Sequence, residues 1–298
     1  YYATGGTVAK ILSMAGPIQV RVQPYAGSTV VIPLVSSGEL EFGINTDNDL
    51  RLAYRGEKPF PAAPGIRNVT ILYPLLVALL VRNNSDIKTL ADVKGRRVAG
   101  RYAAQLAVYF QVMGMLASGG LTWNDVRVVP VANVNDGVQA LMEGRVEVAS
   151  HAIGSAKVRE ADASVPGGVR HLAIDGSPEG ARRMAQVFPG SFPYRLKAGH
   201  SPGIRADIPV MAHDVYITTG ASQSEDTVYA ITRLLWEKEA EIQKGGSRLV
   251  DFARKHMVKR ETTIPYHPGA IRFYKEKGVW SAEMEARQAQ LVKEAAGR

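Results

Sequence analysis

The sequence predicts an α/β protein made of two similar lobes, and three observations lead to this prediction. One unit of sequence occurs twice, at Val22–Asn45 and at Val128–His151. Two long apolar stretches, Ile71–Arg82 and Val210–Thr218, have the character of buried strands that cross between lobes. The composition, with 46% hydrophobic and 21% charged residues among 298, permits a large buried core and excludes a disordered chain.

Each copy of the repeat predicts a strand, a helix and a second strand. A β-branched run ends at Pro24 or Pro130, a polar loop follows, and an apolar-periodic helix stops at Gly38 or Gly144. A glycine there suits the left-handed conformation that ends many helices. Such a unit builds a parallel sheet with a right-handed crossover. Chance similarity between two ordinary units is the alternative explanation of the repeat.

The other elements follow from periodicity and from glycine or proline punctuation. A first helix is expected to follow Tyr1–Gly6, and by symmetry a first strand is expected to precede Tyr1. A segment rich in proline, Phe188–Ile208, is predicted as a loop. The remaining predicted elements are a short helix that follows Thr46–Asp49 and ends at Arg55, the strand Ile71–Arg82 broken at Pro74, a strand at Arg97–Gly100, helices at Ala104–Ala117, Gly154–Ala163 and Pro178–Phe188, a strand at Gly167–Asp175, the strand Val210–Thr218, and helices at Glu225–Lys244, Arg248–Met257, Ala270–Lys277 and Ser281–Ala296.

Two crossings predict a first lobe of residues 1–80 and 213–298 and a second lobe of residues 81–212. Crossings near Val81 and His213 are typical of hinges that allow two lobes to close around a ligand. Ligands of open parallel sheets lie beyond the carboxyl ends of the strands. Asn45 and His151, which end equivalent strands of the two copies, are therefore expected to face each other across one cleft.

Composition and motifs exclude several classes of function. The net charge of +8 favours anionic partners, but the basic residues are scattered and no nucleic-acid motif accompanies them. The chain has no cysteine, no histidine pair at metal-ligand spacing and no glycine-rich nucleotide motif, so neither a metal nor a cofactor is expected. The Gly199–Gly203 segment fits a hydrolase elbow, but Pro202 lacks the N–H that an oxyanion hole requires.

Tyrosines near helix starts and strand ends suggest an aromatic wall around a small-molecule site. These are Tyr1, Tyr2, Tyr25 and Tyr102. The helix predicted to begin near Ala104 lacks a capping side chain, so its first N–H groups suit an anion. Arg101 stands at its start and has the planar fork that binds a carboxylate.

Nearly the whole chain resembles the TAXI family of solute receptors that serve TRAP transporters. Tyr1–Gly6 is similar to the end of the family's glycine-rich opening, and Tyr25–Ser28 to its T-G-G-S turn. Ser36–Asp47 resembles its S-G-E-A-D-L-A-F-V-Q-S-D stretch, with Asn45 where Gln is usual. Leu196–Gly203 resembles an I-P-A-G-x-Y-P-G segment. The most specific match is Ile264–Gly278, which resembles the closing H-P-G-A-x-x-Y-x-x-x-G signature.

The resemblance implies the type II two-lobe binding-protein fold, export to the periplasm, and a monomer that carries small organic anions to membrane-embedded TRAP transporter subunits. Arg101–Gln105 replaces the family's G-S-G-T loop, and Ile32 replaces a common Asn, so the solute of other members is not transferred. The predicted ligand-binding residues are Tyr1, Tyr2, Thr4, Gly5, Tyr25, Gly27, Ser28, Asn45, Thr46, Asp47, Arg101, Tyr102, Ala103, Gln105, His151 and Gly154.

Two other functions remain open at this point. One is an enzyme on the same fold that acts on a small carboxylate, with Asn45, Asp47 and His151 as catalytic groups. The other is a cytoplasmic effector-sensing domain of a regulator. An enzyme would be expected to carry a nucleophile–base pair or a metal cluster, and a regulator a DNA-binding helix pair; the sequence offers neither pattern.

Overall fold

The computed structural model describes residues 2–16, 18–25, 27–103, 105–246 and 248–296. The chain divides into two compact units. Unit 1 comprises Tyr1–Pro74 and Asp214–Arg298, and unit 2 comprises Leu75–His213. Both boundaries lie inside long strands.

Helices and strands alternate along most of the described chain, as the sequence predicts for an α/β protein. The helices are α1 (Tyr2–Ala15), α2 (Ser28–Ser37), α3 (Asp47–Arg55), α4 (Leu106–Ser118), α5 (Val134–Met142), α6 (Ala156–Ser164), α7 (Pro178–Val187), α8 (Glu225–Glu237), α9 (Glu239–Lys244), α10 (Pro268–Glu276) and α11 (Ala282–Ala296). The strands are β1 (Phe42–Thr46), β2 (Ile66–Arg82), β3 (Arg97–Arg101), β4 (Arg127–Val131), β5 (Ala149–Ala152), β6 (Val169–His171), β7 (Phe192–Leu196) and β8 (Ile208–Gly220).

Unit 1 joins the N-terminal part of the chain to the C-terminal helices. Strand β1 pairs antiparallel with the second half of β8, in a register that places Thr46 opposite Val215. The Tyr54 hydroxyl of α3 donates to the carbonyl of Leu291 in α11 at 2.9 Å. The Tyr274 hydroxyl of α10 donates to the carbonyl of Val69 in β2, also at 2.9 Å. These buried bonds attach the closing helices to the first part of the chain.

Unit 2 contains parallel strands, as the second copy of the repeat predicts. Strands β3 and β4 are parallel, with Gly100 opposite Pro130, and a parallel bridge joins Val98 to Val148. Helix α4 packs against α7, and α5 packs against β5. The second half of β2 pairs antiparallel with β5 and β6, and the first half of β8 pairs antiparallel with β7.

The strand–helix–strand prediction is confirmed in unit 2 but only in part in unit 1. The predicted strand before Pro24 does not form, and residues 18–25 lie in no helix or strand. In this segment, Val20 N donates to the hydroxyl of Ser13 in α1 at 2.8 Å instead of to a neighbouring strand. The prediction of a parallel sheet is also wrong for β1, whose partner β8 runs antiparallel. The glycine stop is confirmed, since Gly38 ends α2 with a φ of 86°.

Two predictions about prolines are wrong because each proline lies where its missing N–H is tolerated. Strand β2 continues through Pro74, which lies between Ile71, bonded to Met257, and Val77, where pairing with β5 begins. The predicted loop Phe188–Ile208 contains β7. Among the described strands, β7 pairs only with β8, so it is an edge strand and can accommodate Pro193.

Two predicted helices are interrupted. The segment Arg248–Met257 forms only two short 3₁₀ turns, because Phe252 has an extended backbone and is buried in the core. Tertiary packing overrides the helical spacing here. The predicted helix Glu225–Lys244 is divided at Lys238 into α8 and α9. No helix in the described part of the chain is long and apolar enough to cross a membrane.

Candidate functional site

The β1–α3 junction of unit 1 buries five consecutive polar residues. Asn45 and Thr46 end β1, and Asp47, Asn48 and Asp49 form the first turn of α3. Each of them is less than 5% exposed. Thr46 is the N-cap of α3 but its side chain makes no capping hydrogen bond. Polar groups are rarely buried without a reason, so this junction is the strongest candidate for a functional site in unit 1.

Hydrogen bonds hold part of this junction in place. The Asn45 amide donates to Thr218 Oγ1 at 2.9 Å. The Thr263 hydroxyl lies 3.3 Å from Asp47 Oδ1, to which it donates. The Ser28 hydroxyl, at the start of α2, donates to Asp49 Oδ2.

Burial raises the pKa of both carboxyl groups in the junction. The pKa of Asp47 rises from 3.8 to about 7 because the group is fully buried, and Lys259 opposes this rise while Asp214 adds to it. The Lys259 ammonium forms an ion pair with Asp214. The pKa of Asp49 rises to about 6 through burial, opposed by the hydrogen bond from Ser28. Asp47 therefore changes its charge near neutral pH.

The amide groups of Asn45 and Asn48 are incompletely bonded. Asn45 Oδ1 and both polar atoms of the Asn48 side chain are buried and have no hydrogen-bond partner in the described part of the chain. An unsatisfied buried polar group costs about 1–3 kcal/mol. A ligand or water molecule that supplied the missing partners would recover this cost.

Sequence reasoning identified Asn45, Thr46 and Asp47 but missed the groups around them. Asn48 follows the predicted residues directly, and its burial gives no signal in the sequence. Lys259 lies among the basic residues of Arg254–Arg260, and this pattern gives no sign of burial. Its pairing with Asp214 is visible only once β8 is placed.

In unit 2, the chain turns sharply where β3 ends. Arg101 and Tyr102 have φ angles of 64° and 46°, in the left-handed region that non-glycine residues seldom adopt. Tyr102 is fully buried, so its ring offers no exposed surface for the predicted aromatic wall. Burial raises the pKa of its hydroxyl. Arg101 and Ala103 are exposed.

Gln105 connects the starts of two helices in unit 2. It is the N-cap residue of α4, and its side chain makes no capping bond to that helix, as the sequence predicts. Instead, Gln105 Oε1 accepts a hydrogen bond of 3.0 Å from the N–H of Val134, the first residue of α5. The start of α4 thus keeps free N–H groups, which favour negative charge.

His151 lies on β5 and is 9% exposed. Its Nε2 lies 3.0 Å from Asn135 Oδ1 in the first turn of α5. Gly154, three residues further on, has a φ of 74°. Like Gln105, His151 contacts the N-terminal end of α5, so these predicted residues share one part of unit 2. The facing of Asn45 and His151 across a cleft stays a prediction.

The remaining predicted residues belong to the N-terminal part of unit 1. Tyr25 is exposed, and its hydroxyl donates to Gln23 Oε1 at 2.9 Å. The Thr4 hydroxyl lies 3.4 Å from that of Tyr73. Gly5 packs between Val22 and Ile44.

The carbonyl of Gly27 accepts from Val30 N and Val31 N at the start of α2. Tyr1 lies outside the described residues. Tyr2 begins α1, and its side chain lies outside the description. Among the side chains that are described, no three His, Cys, Asp or Glu residues are grouped as metal ligands.

Comparison with known proteins identifies the fold. Residues 1–278 match the NMT1-like family. The structure is similar to XAC2383 of Xanthomonas citri bound to ATP, with a TM-score of 0.51 and 10% identity over 96% of this chain and 93% of that one. It is also similar to the periplasmic aliphatic sulphonate binding protein SsuA of Escherichia coli, with a TM-score of 0.48 and 15% identity over 98% and 96% of the two chains.

A third similar structure is the alkanesulfonate-binding protein SsuA of Xanthomonas axonopodis pv. citri bound to MOPS. Its TM-score is 0.47, at 14% identity over 97% of this chain and 81% of that one. At such low identities the likeness concerns the fold alone. The two compact units of helices and strands, together with the likeness to XAC2383, confirm the predicted class, an α/β fold of two units.

Proposed function

We propose, on the premise that this chain belongs to the NMT1-like family, that it is an extracytoplasmic receptor for a small organic anion. The receptor hands its solute to the membrane-embedded subunits of a TRAP-type transporter. The solute is of the carboxylate or amino-acid class. The transporter class rests on the resemblance of Ile264–Gly278 to the closing signature of TAXI receptors, and the solute class on the chemistry of the two units.

The β1–α3 junction is the observation that supports binding best. It holds the buried amides of Asn45 and Asn48, which have unused hydrogen-bonding capacity, at the start of a helix. Buried polar groups without partners gain hydrogen bonds when a polar solute supplies them. Because Asn48 offers both a donor and an acceptor, the junction suits a solute group that combines the two, such as an amino acid or a protonated carboxyl.

Features of unit 2 favour the binding of an anionic solute. Arg101 provides an exposed guanidinium, and the start of α4 has no side-chain cap. The N-terminus of a helix and a planar guanidinium both favour a carboxylate. Gln105 and His151 add further hydrogen-bonding groups. The net charge of +8 also favours encounters with anions at low ionic strength.

A thermal-shift screen against carboxylic acids and amino acids tests the proposed function. A ligand at a hundred times its Kd stabilises the folded protein by about 2.7 kcal/mol. For a chain of this size, we expect at least one acid to raise the melting temperature by several degrees. Neutral sugars and polyamines are the comparison sets. If these stabilise the protein and no acid does, the proposed solute class is wrong.

A further inference from the structure

An open cavity of about 370 Å³ lies within unit 2. None of the residues that line it belongs to the β1–α3 junction. The cavity is lined by Arg101, Leu106, Tyr109, Trp123 and Val128. These residues come from β3, from the first turn of α4, from the short turn before β4, and from β4 itself. Sites for small molecules usually measure roughly 300–1,000 Å³, so the cavity is large enough for a small ligand.

An aromatic pair forms one side of this cavity. The rings of Tyr109 and Trp123 are stacked, with their centroids 5.2 Å apart and an interplanar angle of 16°. Offset stacking of this kind is favourable and holds both rings in one orientation. With the side chains of Leu106 and Val128, the lining is mainly apolar and includes two flat rings.

The indole ring lies directly on the end of β3. A Cβ atom at Gly100 would lie 3.1 Å from two carbons of the Trp123 ring and 2.7 Å from Val128 Cγ1. The position of the ring thus depends on the absence of a side chain at Gly100. This close approach fixes the tryptophan as part of a rigid lining.

Arg101 is the charged residue of the lining. Its side chain makes no hydrogen bond or ion pair with any residue that the structure describes. Its φ of 64° and that of 46° at Tyr102 place the chain in the left-handed conformation, which is strained for residues other than glycine. The buried Tyr102 ring holds this turn in place, so the guanidinium starts from a fixed point at the cavity.

We propose that the cavity binds the ring of a small aromatic carboxylic acid and that Arg101 binds its carboxylate. The aromatic and aliphatic side chains contact the ring, and the planar guanidinium donates two parallel hydrogen bonds to the carboxylate oxygens. This inference rests on the proposed function, because it names the class of acid that the receptor takes.

Titration with benzoate and phenylacetate, compared with acetate and succinate, tests the preference for a ring. The protein has three tryptophans, Trp123, Trp236 and Trp280, and only Trp123 lines the cavity. We expect the aromatic acids to bind more tightly than the aliphatic acids by calorimetry and to change the tryptophan emission. In Trp123→Phe, calorimetry should still detect binding, while the change in emission should disappear.

Substitutions separate the guanidinium from the rings. Arg101→Gln should weaken binding of phenylacetate about ten- to a hundredfold, because a charged hydrogen bond is lost, and Arg101→Lys should restore it only in part. Tyr109→Leu should weaken phenylacetate but not acetate. Arg195→Ala, which removes an exposed arginine of the same unit outside the cavity, is the matched control and should bind as wild type does. Melting temperatures report whether each variant is folded.

The outcomes distinguish this inference from the proposed function. Aromatic acids that bind with the expected losses in the Arg101 and Tyr109 variants support both. Tight binding of aliphatic acids with equal or weaker binding of aromatic acids overturns the inference and leaves the receptor function standing. Aromatic acids that bind equally well to wild type, Arg101→Gln and Tyr109→Leu also overturn it. Absence of binding by every acid overturns the proposed function and the inference together.

Discussion

Asp47 connects the chemistry of the β1–α3 junction to the stability of unit 1. Its pKa is about 7 in the folded chain and 3.8 when it is freely solvated. Between these two pH values the folded chain holds one more proton than the unfolded chain. The contribution of this group to the free energy of unfolding is therefore greatest below about pH 4 and is lost as the pH rises through 7. The same argument for Asp49 gives a loss that is complete near pH 6.

A comparison of Asp47→Asn with wild type tests this linkage, because Asn resembles the protonated carboxyl and does not titrate. We expect the free energy of unfolding of wild type to fall more steeply than that of the variant between about pH 4 and 7, as measured by urea denaturation. Asp49→Asn is the matched control, and its difference from wild type should be confined to lower pH. Parallel curves for wild type and Asp47→Asn would show that Asp47 has an ordinary pKa.

At the scale of residues, the sequence predicted which strand ends carry polar groups. It did not predict most of the residues that surround these groups. Asn45 followed from the repeat because a strand end is visible in the pattern, and Asp47 followed from the resemblance of Ser36–Asp47 to TAXI receptors. The ion pair of Lys259 with Asp214 did not, because it joins residues far apart in sequence whose burial depends on tertiary packing. Tyr102 was predicted to line a site, but the left-handed turn at Arg101 directs its ring into the core.

At the scale of elements, the close packing of the start of α10 explains why glycine is found at position 269. Helix α10 packs against α8, and a Cβ atom at Gly269 would lie 2.2 Å from the carbonyl oxygen of Glu225. That contact is with backbone, so a side chain at Gly269 would force the two helices apart. His267 caps the helix by accepting from Gly269 N at 3.1 Å.

Gly269→Ala should therefore destabilise the protein by about 1–3 kcal/mol, the usual cost of overpacking. Gly6→Ala provides the opposite case, since Gly6 lies in α1 with no atom within 4 Å of an added Cβ. That substitution should be neutral or stabilise by up to about 1 kcal/mol through helix propensity. Thermal or urea denaturation measures both. Equal stability of the two variants would contradict the close packing of α10 on α8.

Elements were predictable where local pattern and tertiary pairing agree. Strands β4 and β5 and helix α5 follow from the second copy of the repeat, and β3 and α4 follow from the periodicity of the segment before it. Strand β7 was missed because Pro193 indicates a loop, although an edge strand tolerates proline. The helix predicted at Arg248–Met257 failed for the opposite reason, since burial of Phe252 requires an extended backbone.

At the scale of the whole molecule, the duplicated unit predicted two α/β units, and the chain divides into two compact units with a fold similar to that of XAC2383. The periodicity of apolar residues indicates which segments form helices and which form strands, and the order of these elements indicates the fold class. The identity of the solute depends instead on a few side chains with free hydrogen-bonding capacity. These are recognisable only when burial and partners are known, as at Asn48.

Unused hydrogen-bonding groups at a binding site lower the stability of the free protein, and this relation provides the test of the receptor function. Asn48 is buried with both amide atoms unbonded in the described structure. The buried Asn68 donates from Nδ2 to Thr262 Oγ1 at 2.6 Å, and its Oδ1 alone lacks a partner there. Replacing an unsatisfied buried amide with an apolar group of similar shape is neutral or stabilising, and replacing a bonded one costs about 1–3 kcal/mol.

The decisive measurement is the melting temperature of Asn48→Leu and Asn68→Leu, each without and with the acid that binds wild type in the thermal-shift screen. We predict that Asn48→Leu melts at or above the temperature of wild type without ligand but shows little or no shift with the acid. Asn68→Leu should melt at a lower temperature and retain the full shift. If Asn48→Leu is destabilised and still shows the full shift, its amide serves packing rather than solute binding, and the account of the β1–α3 junction is wrong.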